Sequence, residues 1–538
     1  MTVIAIPPVG ARAAVLCLGL LALAVAAPLA ASPMPVAEVT GGRLEGVLHE
    51  GVASFKGIPF AAPPVGPLRW RPPQPASPWK GIRPADTYGP PCAQGHGDDA
   101  HASTLERTSS EDCLYLNVWT AARSAQEHRP VMVWIHGGGF TGGATSEPTY
   151  DGTHFAQQGV VLVSAAYRLG VFGFLAHPDL DRESGKGSGN YGLEDMIAAL
   201  KWVRANIGRF GGDPRKVTLF GESAGSAAVS LLVNAPEARG LFQRAIAESG
   251  AIFQPPRNWL MSDDESGPLG TLSLGESFGE ELLHELKVAD IAAARNLPAK
   301  AILKAASQRE RFWFLPVIDG DLLVAANEVL YRSGRFNDIP ILIGTTSDEG
   351  HGRAAPEVTE SMLRDSARKL ICPDYAGAVL ARYPLGNGAD APRTVEMLNR
   401  DGGAAWNTWD WARWQSREGR AKVFLYYFDF PIPGFPNGAP HWSEVPYLFA
   451  NYSWWEEKHR QLRPEDLAFS DLIRRYWINF ATTGDPNGQG LPRWPAFSEA
   501  TQSTLVFDNA TSARPLPNLE RLRAFDRWYG CAWGRSPP

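Results

Sequence analysis

The stretch Val217-Thr218-Leu219-Phe220-Gly221-Glu222-Ser223-Ala224-Gly225 constrains the fold of this chain more than any other. Four apolar or β-branched residues stop at Gly-x-Ser-x-Gly, and an Ala-rich run from Ser226 to Val233 follows, which predicts strand, sharp turn and helix. Such a turn holds its serine in a strained backbone conformation, and the glycines on either side let neighbouring chain pass without a Cβ clash. The Ser223 hydroxyl then stands at a helix N-terminus, where developing negative charge is favoured. Gly-x-Ser-x-Gly alone also fits an ordinary Gly-rich turn, so a nucleophile here requires a base, an acid and anion-stabilising donors elsewhere in the chain.

The donors come earlier. Val131 to Ile135 is a fully apolar strand that runs directly into His136-Gly137-Gly138-Gly139-Phe140. Three successive glycines after a buried strand leave backbone N–H groups free to point at a ligand, the arrangement that completes an oxyanion hole. Val160 to Tyr167 is a second buried strand, and apolar residues at Leu193, Ile197, Leu200, Val203 and Ile207 repeat at a helical period, with Gly211 and Gly212 beyond. Strands alternating with helices predict an α/β fold with a mostly parallel twisted sheet covered on both faces. Ser223 then lies at the carboxyl end of a strand, where open α/β sheets place their ligand sites.

Downstream, Ile339 to Gly344 reads as a strand followed by Thr345-Thr346-Ser347-Asp348-Glu349-Gly350, a loop with two carboxylates. Lys422 to Phe428 is another strand, and a Pro/Gly-rich loop from Pro431 to Pro440 leads to His441. Asp466 to Ala481 reads as an amphipathic helix and Thr504 to Phe507 as a late strand. Trp406, Trp409, Trp411 and Trp414 could line an opening, but their helical spacing favours packing.

Composition narrows the function. Of 538 residues, 44% are hydrophobic and 20% charged, enough for a large core, and a net charge of -6 gives no basic footprint for nucleic acid. Arg12 precedes the apolar run Ala13 to Ala27, and Ala30, Ala31 and Ser32 offer a cleavage site, so residues 1–31 are expected to be a signal peptide and the protein to be exported, periplasmic or secreted. No later apolar run is long enough to span a membrane, so stable membrane insertion is not expected. Cys92, Cys113, Cys372 and Cys531 then allow three disulfide connectivities. Cys92 and Cys113 enclose a polar, loop-like stretch and are the favoured pair, which leaves Cys372 and Cys531. His96, Asp98, Asp99 and His101 fall in that stretch and read as surface residues rather than metal ligands.

The ordered blocks of this chain resemble the type-B carboxylesterases, the family that includes the cholinesterases. They are Phe55 to Phe60, Glu111 to Asn117, Gly137 to Phe140, Tyr167 to Phe174, Gly189 to Asp195, Phe210 to Pro214 and Gly221 to Gly225. The resemblance implies the α/β-hydrolase fold as one domain over 32–538, and a serine esterase working through an acyl-enzyme with no metal or organic cofactor. It implies Ser223 as nucleophile, Glu349 of Asp348-Glu349-Gly350 as the acid and His441 of His441-Trp442-Ser443-Glu444 as the base, with Asp348 the rival for Glu349. It further implies Gly138, Gly139 and Ala224 as oxyanion donors, Glu222 and Ser249 as supporting residues, and Cys92–Cys113 as the first family disulfide. Cys372 matches no family position.

The expected partner is a small-molecule ester; no oligomeric state is specified. Cholinesterases carry a Trp in the first disulfide loop that binds quaternary ammonium, and none lies between Cys92 and Cys113, which argues against choline esters. Phe312 resembles an acyl-pocket residue. After the acid stand His351, Gly352 and Arg353 where cholinesterases have aromatics. A cationic lining would suit an acyl group bearing a free carboxylate, because Arg grips carboxylates bidentately; some family members remove tricarballylate from fumonisins. A non-catalytic, neuroligin-like adhesion protein is the main rival class, and the presence of all three triad residues argues against it. A lipase or thioesterase would use the same triad.

Overall fold

Side chains that alternate along each central strand enter two different cores. Val131, Val133 and Ile135 pack on one face of the sheet and Met132 and Trp134 on the other; Leu219 opposes Phe220, and Ile343 opposes Leu342 in the same way. A strand apolar on both sides needs cover on both faces, and this requirement produces the layered α/β architecture. The computed structural model describes residues 35–95, 105–255, 269–307, 314–349, 373–383, 391–452 and 461–533. The leader expected over 1–31 lies outside them.

The large sheet has eleven strands among the described residues: β1 (Val47–His49), β2 (Val52–Pro59), β3 (Tyr115–Thr120), β4 (Arg129–Ile135), β5 (Val161–Ala165), β6 (Gly212–Glu222), β7 (Arg244–Glu248), β8 (Ile341–Thr346), β9 (Val423–Phe428), β10 (Ser503–Phe507) and β11 (Ser512–Pro515). Their spatial order is β11-β10-β9-β8-β7-β6-β4-β5-β3-β2-β1. From β5 through β10 neighbours are parallel, and the two ends are antiparallel. A separate three-stranded sheet joins Val36–Val39, Gly42–Glu45 and Ile82–Pro84.

On one face lie α1 (Tyr191–Asn206), α2 (Ala224–Asn234) and, after α3 (Ala391–Arg400), α4 (Trp406–Glu418). The tryptophans of α4 are all buried against that face, as their spacing favoured. The opposite face is covered by α5 (Pro464–Thr483), through Phe469, Ile473, Tyr476, Trp477 and Phe480. The strand expected from Val217 begins earlier, at Gly212, directly after the glycine that ends the preceding helix; the register with β4 shifts between Arg129 and Val131, which accommodates Pro214. Among the described residues no helix is long and apolar enough to cross a membrane.

Candidate active site

The centre of the site is set by two neighbouring strand ends. Ile135, last residue of β4, is the register partner of Gly221 in β6, so the loop after β4 and the turn after β6 leave the sheet side by side. Ser223 sits between β6 and α2 with φ 55° and ψ −121°, a left-handed conformation that costs a non-glycine residue on the order of 1–3 kcal/mol. Its N–H donates to Glu248 O at 2.9 Å, its carbonyl accepts from Ala227 N at 2.8 Å, and the residue remains half-exposed. A Cβ at Gly225 would collide with the Ile135 carbonyl, and one at Gly221 would come within 2.7 Å of the same atom. Glycine at both positions is what lets the turn interlock with β4.

The glycine loop packs directly against the serine turn. A Cβ on Gly137 would stand 2.7 Å from Glu222 Oε2 and 3.0 Å from Ser223 Cβ, so only glycine lets the backbone approach Ser223 this closely. Gly138 and Gly139 have φ of 103° and 63°, and both residues are exposed. The Gly138 carbonyl is turned away, accepting from Thr141 N at 3.0 Å and Gly142 N at 2.9 Å, while among the described residues neither the Gly138 nor the Gly139 amide has an acceptor. Ala224 is the first residue of α2, so its N–H belongs to the helix-end donors without an intrahelical partner. His136 braces the loop: its ring stacks on Tyr167 at 4.6 Å, and Tyr167 OH donates to His136 O at 2.9 Å. Burial pushes its imidazole down to about 4, so it stays neutral and structural.

Glu349 and His441 arrive on the loops after β8 and β9. His441 Nδ1 is hydrogen-bonded to Glu349 Oε2, and Thr346 N donates to Glu349 Oε1 at 2.7 Å. Glu349, rather than Asp348, therefore meets the imidazole; Asp348 contributes its backbone, its N–H donating to Ala439 O at 2.9 Å and its carbonyl accepting from His441 N at 3.1 Å. His441 Nε2 lies 3.0 Å from Glu222 Oε1. Burial opposes charge on the imidazole, but Glu222 and Glu349 outweigh it and push His441 up to about 10. Burial would likewise raise Glu349, yet His441 and the Ser249 and Thr346 donors hold it below the usual carboxylate range. Glu222 is driven by burial up to about 8, against the pull of His441.

A second tier of carboxyls, not assigned from the sequence, surrounds this pair. Ser249 Oγ donates to Glu444 Oε1 at 3.2 Å and Tyr426 OH to the same oxygen at 3.1 Å, while Trp477 Nε1 donates to Glu248 Oε1 at 2.8 Å. Burial, then the neighbouring Glu349, raises Glu444 to about 7, and burial together with Glu444 raises Glu248. The only sequence signal for Glu444 was its place in His441-x-x-Glu444. Cys92 and Cys113 form a disulfide, and Cys531 is disulfide-bonded to a partner outside the described residues. Phe312, His351, Arg353, Cys372 and the cluster His96, Asp98, Asp99 and His101 also lie outside them. Among the described residues no group of three or more His, Cys, Asp or Glu side chains could hold a metal ion.

A strained serine between a parallel strand and its helix, beside a glycine loop from the adjacent strand, marks this molecule as an α/β hydrolase. Comparison with known proteins narrows the class: a profile described as "Carboxylesterase family" matches residues 33–524, and the chain belongs to that family and is a carboxylic-ester hydrolase. It is 37% identical over 497 residues to the fumonisin B1 esterase of Sphingopyxis macrogoltabida, covering 88% of this chain and 87% of that protein. It is 36% identical to the para-nitrobenzyl esterase of Bacillus subtilis (strain 168), covering 89% and 96%. A solved PNB esterase structure superposes with a TM-score of 0.78 at 34% identity, over 91% of this chain and 100% of that one.

Proposed function

We propose that Ser223, His441 and Glu349 form a catalytic triad that cleaves carboxylic esters through an acyl-enzyme. The observation that carries this reading is that His441 meets Glu349 through Nδ1 and, at 3.0 Å through Nε2, Glu222, the residue before Ser223, while the glycine loop packs against Glu222 and Ser223. Neutral His441 takes the Ser223 proton as the hydroxyl attacks the ester carbonyl and returns it to the leaving alcohol; Glu349 fixes the tautomer and stabilises the imidazolium. The amides of Gly138, Gly139 and Ala224 receive the oxyanion, each donor typically worth about 3 kcal/mol of barrier. Water, deprotonated by the same imidazole, then releases the acid.

The proposed substrates are esters whose acyl part carries a free carboxylate, tricarballylate esters among them. Two things support this class: His351 and Arg353 follow the acid in the sequence, and a relative at 37% identity is named for fumonisin B1. The apolar run before Ala30 supports export to the periplasm or medium. A paired assay tests the proposal, comparing 4-nitrophenyl acetate with 4-nitrophenyl hemisuccinate in wild type, Ser223→Ala and Arg353→Ala. Ser223→Ala is expected to lose turnover and fluorophosphonate labelling on a folded protein; Arg353→Ala is expected to lose the hemisuccinate selectively. Unchanged discrimination in Arg353→Ala would remove the anionic-acyl reading, and turnover retained in Ser223→Ala would remove the triad.

A further inference from the structure

The acid and base loops are stitched to each other by backbone and side-chain hydrogen bonds. Ala439 N donates to Ser347 Oγ at 2.7 Å, Asp348 N to Ala439 O at 2.9 Å and His441 N to Asp348 O at 3.1 Å. Gly438, at φ 133°, lets the two chains touch, since a Cβ there would lie 2.6 Å from Ser347 Oγ. These bonds keep Glu349 on His441 Nδ1. They run between the two loops and not to Ser223, so the placement of Nε2 relative to the serine also depends on what holds the loop pair from outside.

Helix α3 reaches both loops. Arg393 and Arg400 stand seven residues apart, about two turns, and so share one face of the helix. Arg393 Nη2 donates to Asn437 O at 3.0 Å, on the base loop, and Arg400 Nη1 donates to Ser347 O at 2.6 Å, on the acid loop. Arg400 is buried and tied down in turn. Its Nε and Nη2 donate to Asp401 at 3.0 and 3.2 Å, and Asp401 also accepts from Arg521 Nε at 2.6 Å, Asn518 Nδ2 at 2.6 Å and Tyr383 OH at 2.8 Å. Arg393 is held more lightly, with Nη1 out of solvent and without a hydrogen-bond partner among the described residues.

We propose that α3 is a brace for the reaction, in which Arg393 and Arg400 are positioning residues that hold the stitched acid and base loops at a fixed distance from Ser223. The inference rests on the reading of Glu349 and His441 as acid and base. A brace of this kind acts on the placement of Nε2 and not on the substrate, so its loss lowers kcat and leaves KM alone. Misplacing a catalytic group by about 1 Å costs up to about a hundredfold, and losing one of two arginine contacts is expected to cost about tenfold.

The test is steady-state and single-turnover hydrolysis of 4-nitrophenyl acetate by Arg393→Met and Arg393→Lys, with thermal melts of each. Arg393→Met, which keeps length but removes the donor, is expected to lose about tenfold in kcat and in acylation rate with KM within about twofold. Arg393→Lys, which can still donate to Asn437 O, is expected to recover most of the loss, and Tm should stay within about 2 °C in both. Arg400→Met strips a partner from buried Asp401 and can unfold the protein, so Arg393 carries the test. A kcat for Arg393→Met within about twofold of wild type overturns the brace alone, as does an equal loss in the lysine variant with Tm falling in step. Absence of ester turnover in the wild type overturns the underlying reading and the brace with it.

Discussion

Glu222→Gln should move the acid limb of the pH–rate profile downwards. The substitution keeps the shape of the side chain and removes its charge from a position 3.0 Å from His441 Nε2. At that separation and an effective dielectric near 20, a full carboxylate attracts an imidazolium by about 5 kcal/mol. Burial favours the neutral form of Glu222 and takes back part of this, leaving about 1–3 pKa units, typical of opposite charges in contact. The sign follows from the role of the base. His441 must be neutral to accept the Ser223 proton, its pKa is raised, and so kcat/KM rises with pH through the raised value. Removing the partner that favours the charged form lowers that value, and the limb moves to lower pH by about 1–3 units. The assay is kcat/KM for 4-nitrophenyl acetate from pH 6 to 11, corrected for spontaneous hydrolysis. Because the two groups titrate as a pair, the midpoint is read as an apparent value. A limb that stays in place would mean Glu222 is already neutral in the free enzyme; one that moves upwards would contradict the electrostatic argument outright.

Two further outcomes follow. Gly138→Ala places a Cβ against the Gly142 carbonyl at a φ of 103°, so the loop must re-aim its amides, and kcat is expected to fall by about 10²–10³; a stopped-flow burst of unchanged rate would remove Gly138 from the oxyanion site. Glu349→Gln is expected to lower kcat by about 10⁴ through the wrong imidazole tautomer, while Asp348→Asn should cost only a few-fold; parallel assays on one ester decide between the two carboxylates, and equal losses would refute the assignment.

The parts of the site legible in the sequence are those whose chemistry is local. Gly221-Glu222-Ser223-Ala224-Gly225 and the His136 loop declare strand, turn and helix in a few residues, because glycine is demanded wherever backbone must touch backbone. The choice of Glu349 over Asp348 came from resemblance, and the structure gives its reason: the shorter Asp348 lies at the seam with Ala439 and His441, where its backbone is used. Glu444, Arg393 and Arg400 stayed silent because each works on a partner far along the chain, Ser249 or Asn437 or Ser347. Helix α3 is amphipathic but only ten residues long, and nothing in its period names the loops its arginines reach. The strand over Gly212 to Pro214 was hidden for a different reason: a glycine and a proline argue for a loop until a neighbouring strand shifts register to receive them.

The pairing of Ile135 with Gly221 also says how this molecule should fail. The reactive hydroxyl and the amides that would greet its product hang from adjacent rungs at the middle of the sheet, so no half-melted form can keep one and lose the other. Loss of turnover in urea should therefore report rupture anywhere from β4 to β9, while fraying at the far edge, β1 to β3, would pass unnoticed by a rate measurement.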